Sequence, residues 1–289
     1  MSQTGRAAEL HRAAIDAYRE VGQHAALPEV YNAYVFSLNR LGRYGEALRA
    51  LQEWQAQAPP VGPGIAHIDN GWGVVLTNLG RVDEARQHLR RALASQGVAA
   101  EAPVPERLSP RARTYLANLA LVELAAQRPA EAERLVRLAL RPDEVATYRR
   151  QGILGLALLS QGQTAPALAA LQAGDADAQR RYGDINANRH RVLRDLGWAQ
   201  LQAGQPHEAV ATLRLAMQCA EEGGEAGHPL AAMTQARLAQ ALAATGARDA
   251  ARQALDAGLA VAQAAGEDGD LRGLAEMRRM RAALDVRAP

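Results

Sequence analysis

The feature that most constrains this chain is a spacing that keeps returning: a Gly, an Ala five residues on, and an aliphatic residue four after that. Copies stand at Gly42/Ala47/Leu51, Gly80/Ala85/Leu89, Gly162/Ala167/Leu171, Gly204/Ala209/Leu213 and Gly246/Ala251/Leu255. A sixth, Gln127/Ala132/Val136, has Gln in place of Gly. Successive motif Ala residues are 38, 47, 35, 42 and 42 apart, intervals that signal repeated helical units. Eight residues before each Gly or its substitute sits a large apolar residue: Tyr34, Trp72, Leu119, Leu154, Leu196 or Leu238. The position after that residue, and the one seven beyond each motif Ala, are Gly or Ala in ten of twelve cases, whereas 64 Ala and 25 Gly in 289 residues predict about four. The pattern is therefore selected packing, not an Ala-rich accident.

The physics is that of a helical hairpin repeated in line. A first helix buries one stripe, the Gly takes a left-handed turn, and a second helix returns with its Ala against the partner. Small residues let the two backbones approach closely. One hairpin cannot cover its own apolar face, so several must stack to bury a continuous core.

The segment VYNAYVFSLNRLGRYGEALRALQEWQAQAP, with Tyr34, Gly42, Tyr44, Ala47, Leu51 and Pro59, resembles a tetratricopeptide repeat, and RDLGWAQLQAGQPHEAVATLRLAMQ is a second copy. The longer spacing is similar to the long-helix variety of kinesin light chains and of the sensory regions of bacterial regulators. The resemblance implies an all-α, right-handed α-solenoid of stacked antiparallel helix pairs, with about fourteen helices in a single array over residues 1–289. The expected elements are a lone helix at about 5–21, pairs at about 27–59, 65–97, 111–141, 145–174, 189–222 and 229–265, and a terminal helix at about 270–286. Two long connections are expected, Ser95 to Pro110 and Asp175 to Asn188. Beginning and ending mid-hairpin suits either a capped stack or a piece of a longer protein. Two residues depart from the family: Trp54 stands where a small residue is usual, and Glu123 occupies a slot that is normally apolar. With Gln127 in place of Gly, Glu123 leaves the register of the fourth repeat open.

Composition removes several classes of function. Cys219 is the single cysteine, which excludes a disulfide framework or a multi-thiolate metal centre. Thirty-three basic residues against 31 acidic ones give a net charge of +2, so no overwhelmingly basic surface exists and direct nucleic-acid binding is not favoured. The seven His residues never fall three or four apart, so no helix offers a paired metal-ligand set. No phosphate loop or nucleophile elbow appears, and the adjacent acids Glu221/Glu222 and Glu267/Asp268/Asp270 fall in predicted turns, where solvated linker is the expected reading. The expectation is a cytoplasmic, bacterial, non-enzymatic protein with no cofactor, no catalytic or metal site and no membrane span.

Helix phase points to a binding face. Counting about 100° per residue, if Tyr34 and Leu38 face the hairpin core, then Glu29, Asn32, Phe36 and Asn39 lie opposite. In solenoids of this family the corresponding face lines a concave groove. The equivalent slots hold His67, Asn70 and Asn78 in the third repeat, Arg149 in the fifth, and Arg191, Arg194 and Trp198 in the sixth. Amides that donate and accept at once match a peptide backbone, and guanidinium groups beside an indole suit an acidic segment. The same residues also suit a plain solvated surface, and Asp195 is placed to consume the charge of Arg194. The leading expectation is a scaffold or adaptor that binds a peptide or partner protein in the groove. The alternative is a ligand-sensing module of a bacterial transcription or signalling regulator. Ligand identity, pathway and oligomeric state are not legible in these residues.

Overall fold

The computed structural model describes residues 3–57, 63–98, 105, 107–140, 147–264 and 271–285. Among the described residues there are fourteen α-helices, one 3-10 turn and no strand. They divide into two compact units, Met1–Ala146 and Thr147–Pro289. In unit 1, α1 (Gln3–Glu20) and the 3-10 turn His24–Ala26 precede α2 (Leu27–Arg40), α3 (Tyr44–Gln57), α4 (Pro63–Asn78), α5 (Val82–Ala94), α6 (Pro110–Ala125) and α7 (Pro129–Ala139). Unit 2 contains α8 (Tyr148–Leu159), α9 (Thr164–Tyr182), α10 (Ala187–Gln202), α11 (Pro206–Glu222), α12 (Pro229–Ala244), α13 (Arg248–Ala264) and α14 (Leu271–Asp285).

The turn inside each pair follows from one backbone conformation. Gly42, Gly80, Gly162, Gly204 and Gly246 all have φ between 73° and 85°, a region open to Gly at little cost. The next residue then donates its backbone N–H to a carbonyl five residues back: Arg43 to Leu38, Arg81 to Leu76, Gln163 to Leu158, Gln205 to Gln200 and Ala247 to Leu242, at 2.9–3.0 Å. This closes the helix end by satisfying carbonyls that have no partner in the helix. Gln127 adopts the same turn with φ 57°, and Arg128 donates to Glu123 at 2.8 Å. The fourth repeat, the α6–α7 pair, thus keeps the common register in spite of its missing Gly.

The small residues act as sockets. A Cβ added to Gly73 would lie 2.4 Å from Leu89 Cγ, one on Gly155 2.4 Å from Leu171 Cγ, and one on Gly197 2.5 Å from Leu213 Cγ. In these three pairs the motif aliphatic of the second helix therefore sits directly over the first helix's missing side chain. Leu89, Leu171 and Leu213 are fully buried, as are Ala47, Ala85, Ala132, Ala167, Ala209 and Ala251. Each such Leu contributes roughly 1.5–3 kcal/mol of burial. Trp54 is accommodated by stacking on Tyr31, with ring centroids 5.7 Å apart.

Within each unit, the second helix of a pair packs on the next first helix, and first helices also touch one another: α2 on α4 and α4 on α6 in unit 1, α8 on α10 and α10 on α12 in unit 2. Glu123 of α6 meets this packing through Arg86 of α5, whose Nε and Nη2 donate to its carboxylate at 2.7 and 3.2 Å. One element is longer than the sequence indicates. Helix α9 continues through Asp175 to Tyr182, so the expected long connection shrinks to a few residues. Buried Asp177 stabilises the extra turns: it accepts from Arg181 Nε at 2.9 Å, and it caps the start of α8 by accepting from the Tyr148 backbone N–H, also at 2.9 Å.

Candidate functional site

In unit 1 the slots singled out on α2 and α4 fall on neighbouring first helices, and several are joined to each other. Asn78 donates through Nδ2 to Asn39 Oδ1 at 2.7 Å, and Asn118 of α6 donates to Asn70 Oδ1 at 2.6 Å. Two amides expected to meet a peptide, Asn39 and Asn70, are thus also rungs between first helices. Asn39 is buried, Asn70 half-buried and Asn78 exposed. Asn32 is half-buried, whereas Phe36 is 53% exposed, an apolar ring that no core contact requires. Burial lowers the pKa of half-buried His67, Arg111 of α6 lowers it further, and Glu29 of α2 opposes them. Glu29, His67 and Arg111 thus come from three successive first helices, and the imidazole is held toward its neutral form.

In unit 2 the expected stripe is rearranged. Arg149 and Arg191 are exposed, but Arg194 is buried. Its Nε and Nη2 donate to the carboxylate of Asp195 at 2.9 and 3.0 Å. Arg194 therefore offers no open guanidinium beside Arg191, because the adjacent carboxylate shares the dry space between α10 and α12. The residue that stands against Trp198 is Arg237 of α12. Its Cζ is 4.3 Å from the ring centroid, and its Nη1 donates to Asp195 Oδ1 at 2.7 Å. Arg237 has no other hydrogen-bond acceptor among the described residues. Burial pushes its guanidinium down to about 10 against the pull of Asp195. Burial also pushes the Asp195 carboxyl up, but Arg194 and Arg237 together hold it below the usual range. Two guanidinium groups share one carboxylate here.

Single-helix phase does not find Arg237 or Asn118, but the repeat interval does. Asp195 and Arg237 are 42 residues apart, Asn39 and Asn78 39, Asn70 and Asn118 48, and Tyr148 and Asn188, bonded at 3.1 Å, 40. Polar residues one repeat apart meet across neighbouring first helices.

No group of three His, Cys, Asp or Glu suited to a metal ion occurs among the described residues. Cys219 is fully buried, and burial raises its thiol, the opposite of what a reactive thiolate needs. No described helix is long and apolar enough to cross a membrane. A shallow cleft in unit 1, lined by Arg12, Tyr34, Glu46, Arg49, Ala50 and Glu53, is closed on itself by charge, with Arg12 Nη1 2.8 Å from Glu53 Oε2.

No family model matches the chain, and no curated protein matches its sequence. Solved structures do. A chain of the APC/C hetero-tetramer Cut9–Hcn1 aligns over 94% of this chain and 46% of its own length, with TM-score 0.66 and 17% identity. This chain thus spans about half the length of that one. The Rap protein complexed with competence and sporulation factor aligns over 98% of this chain and 87% of its own, with TM-score 0.66 and 15% identity. A thermophilic tetratricopeptide-repeat protein of Thermus thermophilus aligns over 76% and 98%, with TM-score 0.54 and 18% identity. The fold is that of a tetratricopeptide-repeat α-solenoid.

Proposed function

We propose that this protein is a non-enzymatic scaffold that binds a peptide or an extended segment of a partner protein along the first helices of its hairpins. The observation that carries this reading is placement. Phe36 in unit 1 and Arg191 in unit 2 are exposed on first helices, and the Arg237–Trp198 stack joins two neighbouring first helices, with Trp198 half-buried beside the core of its hairpin. An exposed phenyl ring offers apolar area to a ligand, and a guanidinium already held over an indole by Asp195 has less side-chain entropy to lose on binding. Rap, of similar fold, is seen in complex with a factor, which supports the same mode of action here. The ligand class the charges favour is an acidic segment, with Arg191 and Arg237 as the groups that meet carboxylates and Trp198 as the packing plane. Asn32, Asn70, Asn78 and His67 belong to the unit 1 face, where they suit backbone amides. The action is stoichiometric, in the cytoplasm.

A peptide library displayed against the purified protein tests this. Acidic peptides should be retained, and Arg237→Gln combined with Arg191→Ala should weaken them by about 1.5–3 kcal/mol per charged hydrogen bond lost, with helix content unchanged by circular dichroism. Retention indifferent to these variants and to Phe36→Ala would remove the reading. So would catalytic turnover abolished by a single substitution. The sensing alternative uses the same face and adds a change of compactness on binding, which small-angle scattering reads.

A further inference from the structure

The start of α12 is held by two buried histidines that act on neighbouring atoms. His228 is 3% exposed, and its Nδ1 accepts the backbone N–H of Leu230 at 3.0 Å, so the imidazole itself caps the helix. An acceptor nitrogen carries no proton. His190 of α10, with no exposed surface, reaches the same turn from the opposite side: its Nε2 lies 2.9 Å from Thr234 Oγ1 and its Nδ1 3.5 Å from Glu225 Oε2. Thr234 Oγ1 also lies 2.9 Å from the carbonyl of Leu230. The backbone is stitched to match, His228 N–H donating to Glu225 O and Ala231 N–H to His228 O.

Counting protons on these atoms shows what acid does. With His190 neutral and Nδ1–H toward Glu225, its Nε2 accepts the Thr234 hydroxyl. With His190 protonated, Nε2–H takes the threonine oxygen, and the hydroxyl must turn to Leu230 O. At His228 no such adjustment exists, because a proton on Nδ1 faces the Leu230 N–H and the cap is lost.

We propose that the α11–α12 connection is an acid-released latch, in which neutral His228 and His190 hold the first turn of α12, and with it the Arg237–Trp198 stack farther along the same helix. Its consequence for ligand binding rests on the proposed reading of that face, whereas the latch does not. The charges around His190 agree with the direction. Burial lowers its pKa most; Arg194 and Arg191 on its own helix lower it further, and only Glu225 of the connection raises it. From α12 the group facing it is uncharged Thr234. The other charges on the packed elements are engaged elsewhere: Asp195 with Arg194 and Arg237, and Asp175 of α9 with Arg189. Cys219 of α11 is a buried thiol. A folded-state value below the unfolded one means the unfolded chain takes the proton first. The latch is therefore complete above the ordinary histidine range, about pH 6.5, and is lost as pH falls below it.

The test is amide hydrogen exchange of Leu230, Ala231 and Ala232, expressed as protection factors between pH 7.5 and 5.0, with the Trp198 indole resonance followed in parallel. The full chain should lose about tenfold or more of its protection in that first turn, and the Trp198 signal should move with the same midpoint. His228→Asn, which keeps a cap without a titrating nitrogen, should flatten the profile, whereas His190→Gln should only narrow it, since the His228 cap still takes its proton. Protection independent of pH, or a profile unchanged in His228→Asn, overturns the latch. A Trp198 signal that stays still while α12 frays overturns its link to the stack. Since no ligand is used, these results are independent of whether the face binds peptides. Library selections at pH 7.5 address that separately.

Discussion

Gln127 shows how much a single backbone angle matters here. Five hairpins make their turn with Gly, and this one makes it with a side chain at φ 57°, where an L-residue's Cβ crowds its own carbonyl at a cost of roughly 1–2 kcal/mol. The turn persists because Glu123 and Arg128 close it, and Ala132 and Val136 fill the same buried slots as their counterparts elsewhere. Gln127→Gly should therefore stabilise the protein, by about 0.5–1 kcal/mol after subtracting the extra freedom Gly gives the unfolded chain. Urea unfolding checks this, and an unchanged or lower midpoint would show that the surroundings have already relieved the strain.

At the scale of helices, the polar residues between neighbouring pairs decide how those pairs meet. Glu123 is the strongest case. It is 3% exposed, and Arg86, itself buried, reaches it with two donors, while Arg128 Nη1 is 3.9 Å away. A carboxylate in an apolar slot is tolerable only because this guanidinium comes with it. Glu123→Ala should cost about 1.5–3 kcal/mol by taking two charged hydrogen bonds from Arg86, which keeps its bond to Asp83 at 2.6 Å, whereas replacing both Glu123 and Arg86 with hydrocarbons of similar volume should recover most of the loss. Equilibrium unfolding of the two variants gives the comparison, and equal stability of both would mean that the pair is not the issue. The same rule explains why Arg194 fails as an open anchor. Asp195 satisfies two of its donors, and the stack on Trp198 passes to Arg237, one repeat farther along the chain.

For the whole molecule, stacked repeats make stability a sum of local terms and nearest-neighbour contacts. A packing fault in one unit should be felt there first. Ala85 and Ala209 are both fully buried at hairpin contacts, so Ala85→Leu and Ala209→Leu should each overpack by roughly 1–3 kcal/mol. Trp54 and Trp72 report on unit 1 and Trp198 on unit 2. In single-tryptophan variants, Ala85→Leu should shift the urea midpoint seen by Trp54 or Trp72 more than that seen by Trp198, with Ala209→Leu doing the reverse. Coincident shifts with every reporter would indicate one cooperative body instead.

The hairpin is legible in short-range spacing alone. The Gly turn, the motif Ala and the aliphatic residue that fills the socket recur at fixed offsets, because backbone angles and close helix contact act over a few residues and leave a local record. The number of helices and the burial of Cys219 follow from the same register. The length of α9 did not, since its last turns depend on Asp177 reaching the start of α8. The candidate faces were legible only in part. Helix phase marked Phe36, Arg191 and Trp198 as lying away from the hairpin core, but it treats each helix alone. Whether Asn39 and Asn70 face solvent or each other's neighbours, and whether Arg194 or Arg237 lies on the indole, depends on which side chains two repeats bring within about 3 Å, the reach of a hydrogen bond. That was decided by tertiary structure, because ion pairs and amide pairs form between groups about 40 residues apart, where no local periodicity applies.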